Sequence, residues 1–370
     1  MRKIKSIKTH NLNSSLIAVS YICLSGFVFT LAFLLLRFPS KAGDGVLYGM
    51  NLCVKTIIPS LFPFMVLSSF FAESGLCEKL GQSFETLTMF LFRQPGISSS
   101  VILLSNIGGL PIGAKMIKLL YENEKITKEQ GQRLLLFCIN PGPAFVISSV
   151  GYYMLGSSKA GIILFVSQMT ASLTVGVLTR FISNGKDMET AIKPSIEKPK
   201  IAHSLVNAAT QSTYSMIAIC GWVVIFSSLE RLIDIFQLSE GLKLFLNCIL
   251  EVTNGCSSAC GKLPIPIIAG IIGWSGLCAH FQVMSSVIKL KMKLKYFLTG
   301  RIINGALSVI ICQVLLHFFP IEENVFFSST QNISASSSAC FSVSLGMFFM
   351  CLLLLLGDNF RLGKKDHKKI

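Results

Sequence analysis

The chain has 370 residues, of which 52% are hydrophobic and only 14% are charged. This composition excludes an ordinary soluble domain and predicts an all-α polytopic membrane protein. The formal net charge of +15 does not indicate nucleic-acid binding. Its lysines and arginines cluster in loops and tails beside apolar runs, as the positive-inside rule describes. The twelve cysteines are scattered, mostly inside apolar segments, so we interpret them as packing residues and predict no metal site or cofactor.

Apolar and polar segments divide the chain into five predicted parts. These are an N-terminal span and loop (1–45), a first repeat (46–182), a cytoplasmic linker (183–203), a second repeat (204–320), and a C-terminal span with a basic tail (321–370).

Local features of the first part of the chain predict where its helices are interrupted. Gly43, Asp44 and Gly45 predict a short loop before a span at 46–71, which Pro59 and Pro63 are expected to break. Residues 73–93 are amphipathic and are predicted to lie at the membrane interface.

The apolar run at 97–120 contains the most unusual motif in the sequence. Polar and helix-breaking residues lie near its centre: Asn106, Gly108, Gly109, Pro111, Gly113 and Lys115. Proline removes a backbone donor and glycine permits conformations that end a helix. Irregular backbone survives in a membrane only where protein covers it or where it lines a wet cavity. The motif therefore predicts two half-helices that meet at a polar break, and the alternative is a kinked helix that packs through small residues.

A second break is predicted in the next helix, at 134–155, where Asn140, Pro141, Gly142 and Pro143 follow one another. Thr127 and Gln130 match a capping box at the start of that helix.

The second half repeats the order of these features, although few residues are identical. A break at 251–258, with Asn254 and Gly255, corresponds to the first motif. Ser275 and His280, in the apolar run at 264–290, correspond to the Asn140 region.

Charge counting predicts how the two halves are oriented. If the runs at 97–120 and 242–261 each enter and return on one side, the linker and the basic run at 289–295 lie in the cytoplasm with the N terminus. The loop at 320–339, which has no lysine or arginine, then lies outside. The hairpins enter from opposite faces, as in many secondary transporters built from inverted repeats.

Two motifs carry a resemblance to a known family. GGLPIGAK at 108–115 and RLLLFCINPGPAF at 133–145 resemble bacterial membrane proteins with the nucleoside-recognition, or Gate, domain, and within it a sporulation branch. Leu110 stands where that family is expected to have tyrosine, and Ile139 where it is expected to have asparagine, so the substrate can differ. The resemblance implies a multi-pass protein of the bacterial cell membrane. For the sporulation branch it implies passage of dipicolinate toward the forespore, across its outer membrane.

The breaks predict a site for an anionic solute, because helix N-termini present N–H groups and partial positive charge. Lys115 either adds a full charge there or snorkels to the interface. Asn140 either contacts the solute or only satisfies backbone groups freed by Pro141 and Pro143. His280 either shuttles protons or bonds across helices. If both Lys115 and Asn140 contact an anion, Lys115→Ala is expected to weaken binding more than Asn140→Ala.

Three functions remain open at this point. The first is transport of a small anionic heteroaromatic solute such as dipicolinate. The second is nucleoside transport. The third is a non-transporting role in assembling the sporulation membrane. An enzyme is not predicted, and the expected partners are the solute, the lipid bilayer, and either a second copy of the chain or other sporulation membrane proteins.

Overall fold

The computed structural model describes residues 25–26, 28–182 and 201–321. The predicted C-terminal span and basic tail, the linker at 183–200, and residues 1–24 and 27 lie outside the described residues.

Every regular element in this part of the chain is helical. The α-helices are α1 (Val28–Arg37), α2 (Pro39–Leu52), α3 (Ile58–Glu73), α4 (Leu76–Phe92), α5 (Ser98–Gly108), α6 (Leu110–Glu122), α7 (Lys128–Phe137), α8 (Ser158–Thr179), α9 (Ile201–Ile233), α10 (Glu240–Leu250), α11 (Val252–Ala259), α12 (Ile265–Trp274), α13 (Gly276–Ser286) and α14 (Leu294–Phe318). Two wider, π-helical segments are π1 (Cys53–Ile57) and π2 (Ala144–Met154). Four stretches of the described chain are long and apolar enough to cross a membrane, namely α8, α9 with its short extension, α12–α13 and α14. The prediction of an all-α polytopic membrane protein is confirmed.

The loop predicted at Gly43-Asp44-Gly45 is wrong, because these residues lie inside α2. Glycine serves close packing here: a Cβ at Gly45 would lie 2.6 Å from the Cα of Ser228 on α9. Small residues on one helix face let two backbones approach within the membrane.

The proline positions also need a correction. α3 continues through Pro63, and Pro59 sits in the first turn of α3, where a missing N–H costs little. The helix is only widened, by the π-helical turn π1 just before Pro59. Because no residue between them is non-helical, α2, π1 and α3 form one continuous segment, which packs antiparallel to α9.

The bundle has two ends, defined by side-chain contacts. The linker end is where α8 stops and α9 begins: there Ser204 donates to the carbonyl of Glu73, and Lys289 pairs with Glu122 at 2.7 Å. The far end is where α8 begins and α14 stops, and there Lys159 donates to the carbonyl of Pro320 at 3.0 Å. α4 keeps both of its ends at the linker end, so it lies across the bundle rather than through it, as its amphipathic sequence predicts.

The first hairpin, α5–α6, enters from the linker end and returns to it. The side chain of Gln94, just before α5, reaches the carbonyl of Gln130, just after α6. A Cβ at Gly113 would lie 3.1 Å from the Ser105 side chain, eight residues earlier. Eight residues of continuous helix span about 12 Å, so the chain must fold back on itself at Gly108 and Gly109.

The second hairpin, α10–α11, enters from the far end. Asn247 donates to Ser258 across the hairpin at 3.1 Å, and Lys262 faces Glu240 at its open end. The turn is at Glu251 alone, so the break predicted over 251–258 is narrower than expected and most of it is α11. The two hairpins enter from opposite ends of the bundle, as an inverted repeat requires, and the division into two repeats stays a prediction.

The Thr127 capping box is confirmed. Thr127 Oγ1 accepts from the Gln130 N–H at 3.2 Å, and Gln130 Oε1 accepts from the Thr127 N–H at 2.8 Å. This cap starts α7 at Lys128, earlier than the sequence alone indicated.

Candidate functional site

Each hairpin tip packs against the broken helix of its own repeat. A Cβ at Gly109 would lie 3.2 Å from the backbone nitrogen of Gly142, and a Cβ at Gly276 would lie 2.9 Å from that of Val252. Gly109 and Gly276 also have φ angles of +90° and +77°, which glycine adopts without strain. The two halves therefore repeat one arrangement, in which a glycine, on the tip in the first repeat and at the break in the second, lets the backbones of tip and break approach each other.

In the first repeat, the break is the irregular stretch 138–143 between α7 and π2. Pro141 and Pro143 bring no N–H to this stretch, so helical hydrogen bonding cannot continue through it. Asn140 is fully buried there, and its Nδ2 donates to the carbonyl of Phe137 at 2.9 Å and to Ser172 Oγ at 2.7 Å.

Asn140 also joins the break to the hairpin, because Nδ2 lies 3.2 Å from Asn106 Oδ1. Its own Oδ1 has no hydrogen-bond partner among the described residues. A buried acceptor without a partner costs free energy. Asn140 thus satisfies a backbone carbonyl, as one of the two alternatives held, and its contact with a solute stays a prediction.

In the second repeat, the break is at Ser275, between α12 and α13. Ser275 has a φ of +72°, an uncommon conformation for a residue other than glycine. Its hydroxyl donates to the carbonyl of Ile272 at 2.9 Å and accepts from Arg301 Nη2 at 2.8 Å.

Arg301 connects the two breaks, and the sequence analysis did not select it. Its Nη1 donates to the carbonyl of Ile139 at 2.6 Å, next to Asn140, and its Nη2 donates to the carbonyl of Gly273 and to Ser275. The signal was present in the sequence, since an arginine inside an apolar run is by default a functional hypothesis.

Lys115 and Gly113 point to different sides of α6. A Cβ at Gly113 would overlap the carbonyl oxygen of Cys138, so this face of α6 packs on the first break. Lys115 lies about 200° further around the helix. Its Nζ donates to Ser212 on α9 at 2.8 Å, with the negative charge of Glu73 nearby. The structure therefore places Lys115 away from the breaks, on the α9 side of the hairpin.

Asn254 and Gly255 are also directed away from the first break. Asn254 Nδ2 donates to Glu230 on α9, and its Oδ1 accepts from the Tyr48 hydroxyl at 3.1 Å. Glu251 accepts from the Asn254 N–H at 2.8 Å and caps α11. Gly255 packs on Cys248 within the hairpin.

His280 lies beside the second break. Its Nε2 is 2.7 Å from the carbonyl of Trp274, and its ring meets the Trp274 and Phe297 rings edge-on. Its Nδ1 has no partner among the described residues. Of its two predicted roles, bonding within the protein is therefore present, here to the helix that precedes its own.

A separate polar cavity of about 370 Å³ opens at the linker end. Its lining includes Glu73, Glu122 and His203, and none of its lining residues belongs to a tip or a break. Nearby, the hydrogen bond from Lys289 to Glu122, together with the opposite charge of that carboxylate, raises the pKa of Lys289. This pair ties the end of the first hairpin to the loop before α14.

The fold and these breaks define an all-helical polytopic membrane protein in which two hairpins, entering from opposite ends of the bundle, each pack against a broken helix. The chain is homologous to the sporulation integral membrane protein YlbJ of Bacillus subtilis (strain 168), with 22% identity over 339 residues that cover 80% of this chain and 83% of the relative. No protein-family model and no solved structure matches the chain.

Proposed function

We propose that the protein is a transporter that moves a small anionic heteroaromatic solute, dipicolinate by preference, through the membrane during endospore formation. The observation that carries this proposal is the pair of hairpins whose tips meet broken helices from opposite ends of the bundle. Broken helices at the interface of inverted repeats are where secondary transporters bind solutes.

The chemistry of the breaks supports an anionic solute. The N-termini of α6 and α13 have no side-chain cap, so their N–H groups and partial positive charge face the breaks. Arg301 offers a full positive charge within hydrogen-bonding distance of both breaks.

The relative's name supports the sporulation context, because YlbJ is a sporulation integral membrane protein. The Gate-domain assignment rests on the motifs at 108–115 and 133–145. We propose that the protein lies in the outer forespore membrane when spores form; its kinship with a sporulation membrane protein supports this proposal.

Nucleoside transport is the second candidate, and the amide of Asn140 favours it, since an amide can recognise a neutral base. The two candidates differ in whether a buried positive charge at the site is needed.

We expect Asn140→Ala to lower dipicolinate uptake into proteoliposomes, because it removes the only side-chain amide that joins the first break to its hairpin among the described residues. A lost hydrogen bond costs about 0.5–1.5 kcal/mol, or up to about tenfold in affinity. Lys115→Ala is expected to change the apparent affinity less, because Lys115 faces α9.

Asn51→Ala is the matched control, since Asn51 is exposed on α2 and donates to the carbonyl of Leu47. Each variant must first show normal insertion and a normal gel-filtration profile. Equal uptake by the Asn140 and Asn51 variants would contradict the assignment of the site, and absence of uptake by the wild-type protein would contradict transport itself.

A further inference from the structure

Arg301 is the largest of the fully buried side chains, with 0% of its surface exposed. It lies on α14, two turns into a helix that is apolar enough to cross a membrane. A charged side chain at such a depth is costly unless something offsets its charge.

The acceptors that surround Arg301 are all neutral. They are the carbonyls of Ile139 and Gly273 and the hydroxyl of Ser275. No carboxylate forms an ion pair with Arg301 in the described parts of the chain, and its Nε–H has no hydrogen-bond partner there. Neutral acceptors satisfy individual N–H groups, but they leave the positive charge uncompensated.

Two other buried cations show what a purely structural role looks like in this protein. Arg133 donates to the carbonyls of Phe92 and Arg93, which close the C-terminal end of α4 at the linker end. Lys115 lies near Glu73, which carries the opposite charge. Arg301 differs from Arg133 because it lies between the two breaks, and from Lys115 because no ion pair with a carboxylate is present for it among the described residues.

We propose that Arg301 recognises the negative charge of the solute by binding one of its carboxylates between the two breaks, and so selects anions over neutral molecules of the same shape. This inference rests on the proposed function and names the residue that would set its substrate class. Guanidinium presents paired N–H groups that match the two oxygens of a carboxylate.

The geometry indicates how the carboxylate is held. Nε and Nη2 lie on one edge of the guanidinium group; Nε is unpartnered, and Nη2 is bound to Gly273 and Ser275. A carboxylate that takes the place of the Ser275 hydroxyl on Nη2 and also accepts from Nε would compensate the charge. Asn140 Oδ1 and His280 Nδ1, both unpartnered, belong to the residues that flank these breaks.

The test compares dipicolinate with its neutral diamide, pyridine-2,6-dicarboxamide, by calorimetric titration of the full-length protein in detergent. We expect the wild-type protein to bind the dicarboxylate more tightly than the diamide. In Arg301→Gln, affinity for the dicarboxylate should fall by roughly ten- to a hundredfold, and the preference for it should disappear. Arg301→Lys should retain the preference at reduced affinity, because the charge remains while the paired geometry is lost.

Arg133→Gln is the matched control, because it removes a buried guanidinium that also binds backbone carbonyls but lies at the linker end. It should keep the preference for the dicarboxylate. If Arg301→Gln does not fold, Arg301→Lys carries the test, and loss of the preference in a folded Lys variant overturns the proposal.

If Arg301 has only a structural role, Arg301→Gln would lower the affinity for both ligands by the same factor, and that result overturns the inference. Uptake into proteoliposomes separates this failure from failure of the proposed function. Wild-type binding without uptake would overturn transport alone, and uptake with an unchanged preference in Arg301→Gln would overturn the role of Arg301 alone. A wild-type protein that binds neither ligand would overturn both.

Discussion

Gly113→Ala is expected to abolish stable folding or to lower the melting temperature sharply. The added methyl group would overlap the carbonyl oxygen of Cys138, a backbone atom at the first break that cannot move aside as a flexible side chain could. Overpacking a well-packed interior typically costs about 1–3 kcal/mol, and a backbone obstacle places this site at the upper end. Thermal unfolding in detergent, followed by circular dichroism, measures the effect.

Gly221→Ala is the control for this prediction. Gly221 lies on the exposed face of α9, and a Cβ there would meet nothing within 4 Å. Alanine is favoured over glycine inside a helix by about 1 kcal/mol, so this variant should be as stable as the wild-type protein or slightly more stable. Comparable losses in the two variants would show that α6 does not pack on the break.

The second large effect is expected in the labelling of two connections from the two faces of the membrane. One connection follows the first hairpin, and the other precedes the second hairpin. Asn123→Cys and Ser239→Cys place single thiols at exposed positions, in variants that lack the natural cysteines. We expect a membrane-impermeant maleimide to label Asn123→Cys only from the cytoplasm and Ser239→Cys only from the opposite face. The physical reason is that the chain runs between the two ends of the bundle three times between these positions, through α7 with π2, through α8 and through α9.

By the positive-inside rule, the basic run predicts that the linker end faces the cytoplasm; its members are Lys289, Lys291, Lys293 and Lys295. Labelling both thiols from the same face would contradict the inverted repeat. Swapped labelling would keep the repeat and reverse the orientation of the whole protein.

The paired hairpins could be predicted from sequence because the cause is local. Gly108, Gly109 and Pro111 interrupt an apolar run, and the backbone cannot continue as helix there in a membrane. The same reasoning failed at Gly43 and Gly45, which lie inside α2. Gly45 permits close approach of α9, a helix some 180 residues away in the chain, and no local pattern encodes that contact.

The direction of a side chain was harder to predict than the position of a break. Lys115 follows the first break closely in the chain, yet two further residues of helix turn it away from Gly113 toward Ser212. Asn140 could be placed because it lies within the break itself. Arg301 could be flagged as a buried charge, but its contact with Ile139, 162 positions earlier, exists only in the folded chain.

The contact between each tip and its break joins backbone to backbone, through Gly109 with Gly142 and through Gly276 with Val252. Such a contact does not depend on the chemistry of the neighbouring side chains. It does require glycine at Gly109 and Gly276, because any larger side chain would meet the opposite backbone. The neighbouring polar residues can therefore be replaced, and with them the solute that we propose binds there, while the contact between each tip and its break is kept. Specificity and the backbone contact are thus set by different residues of the same site.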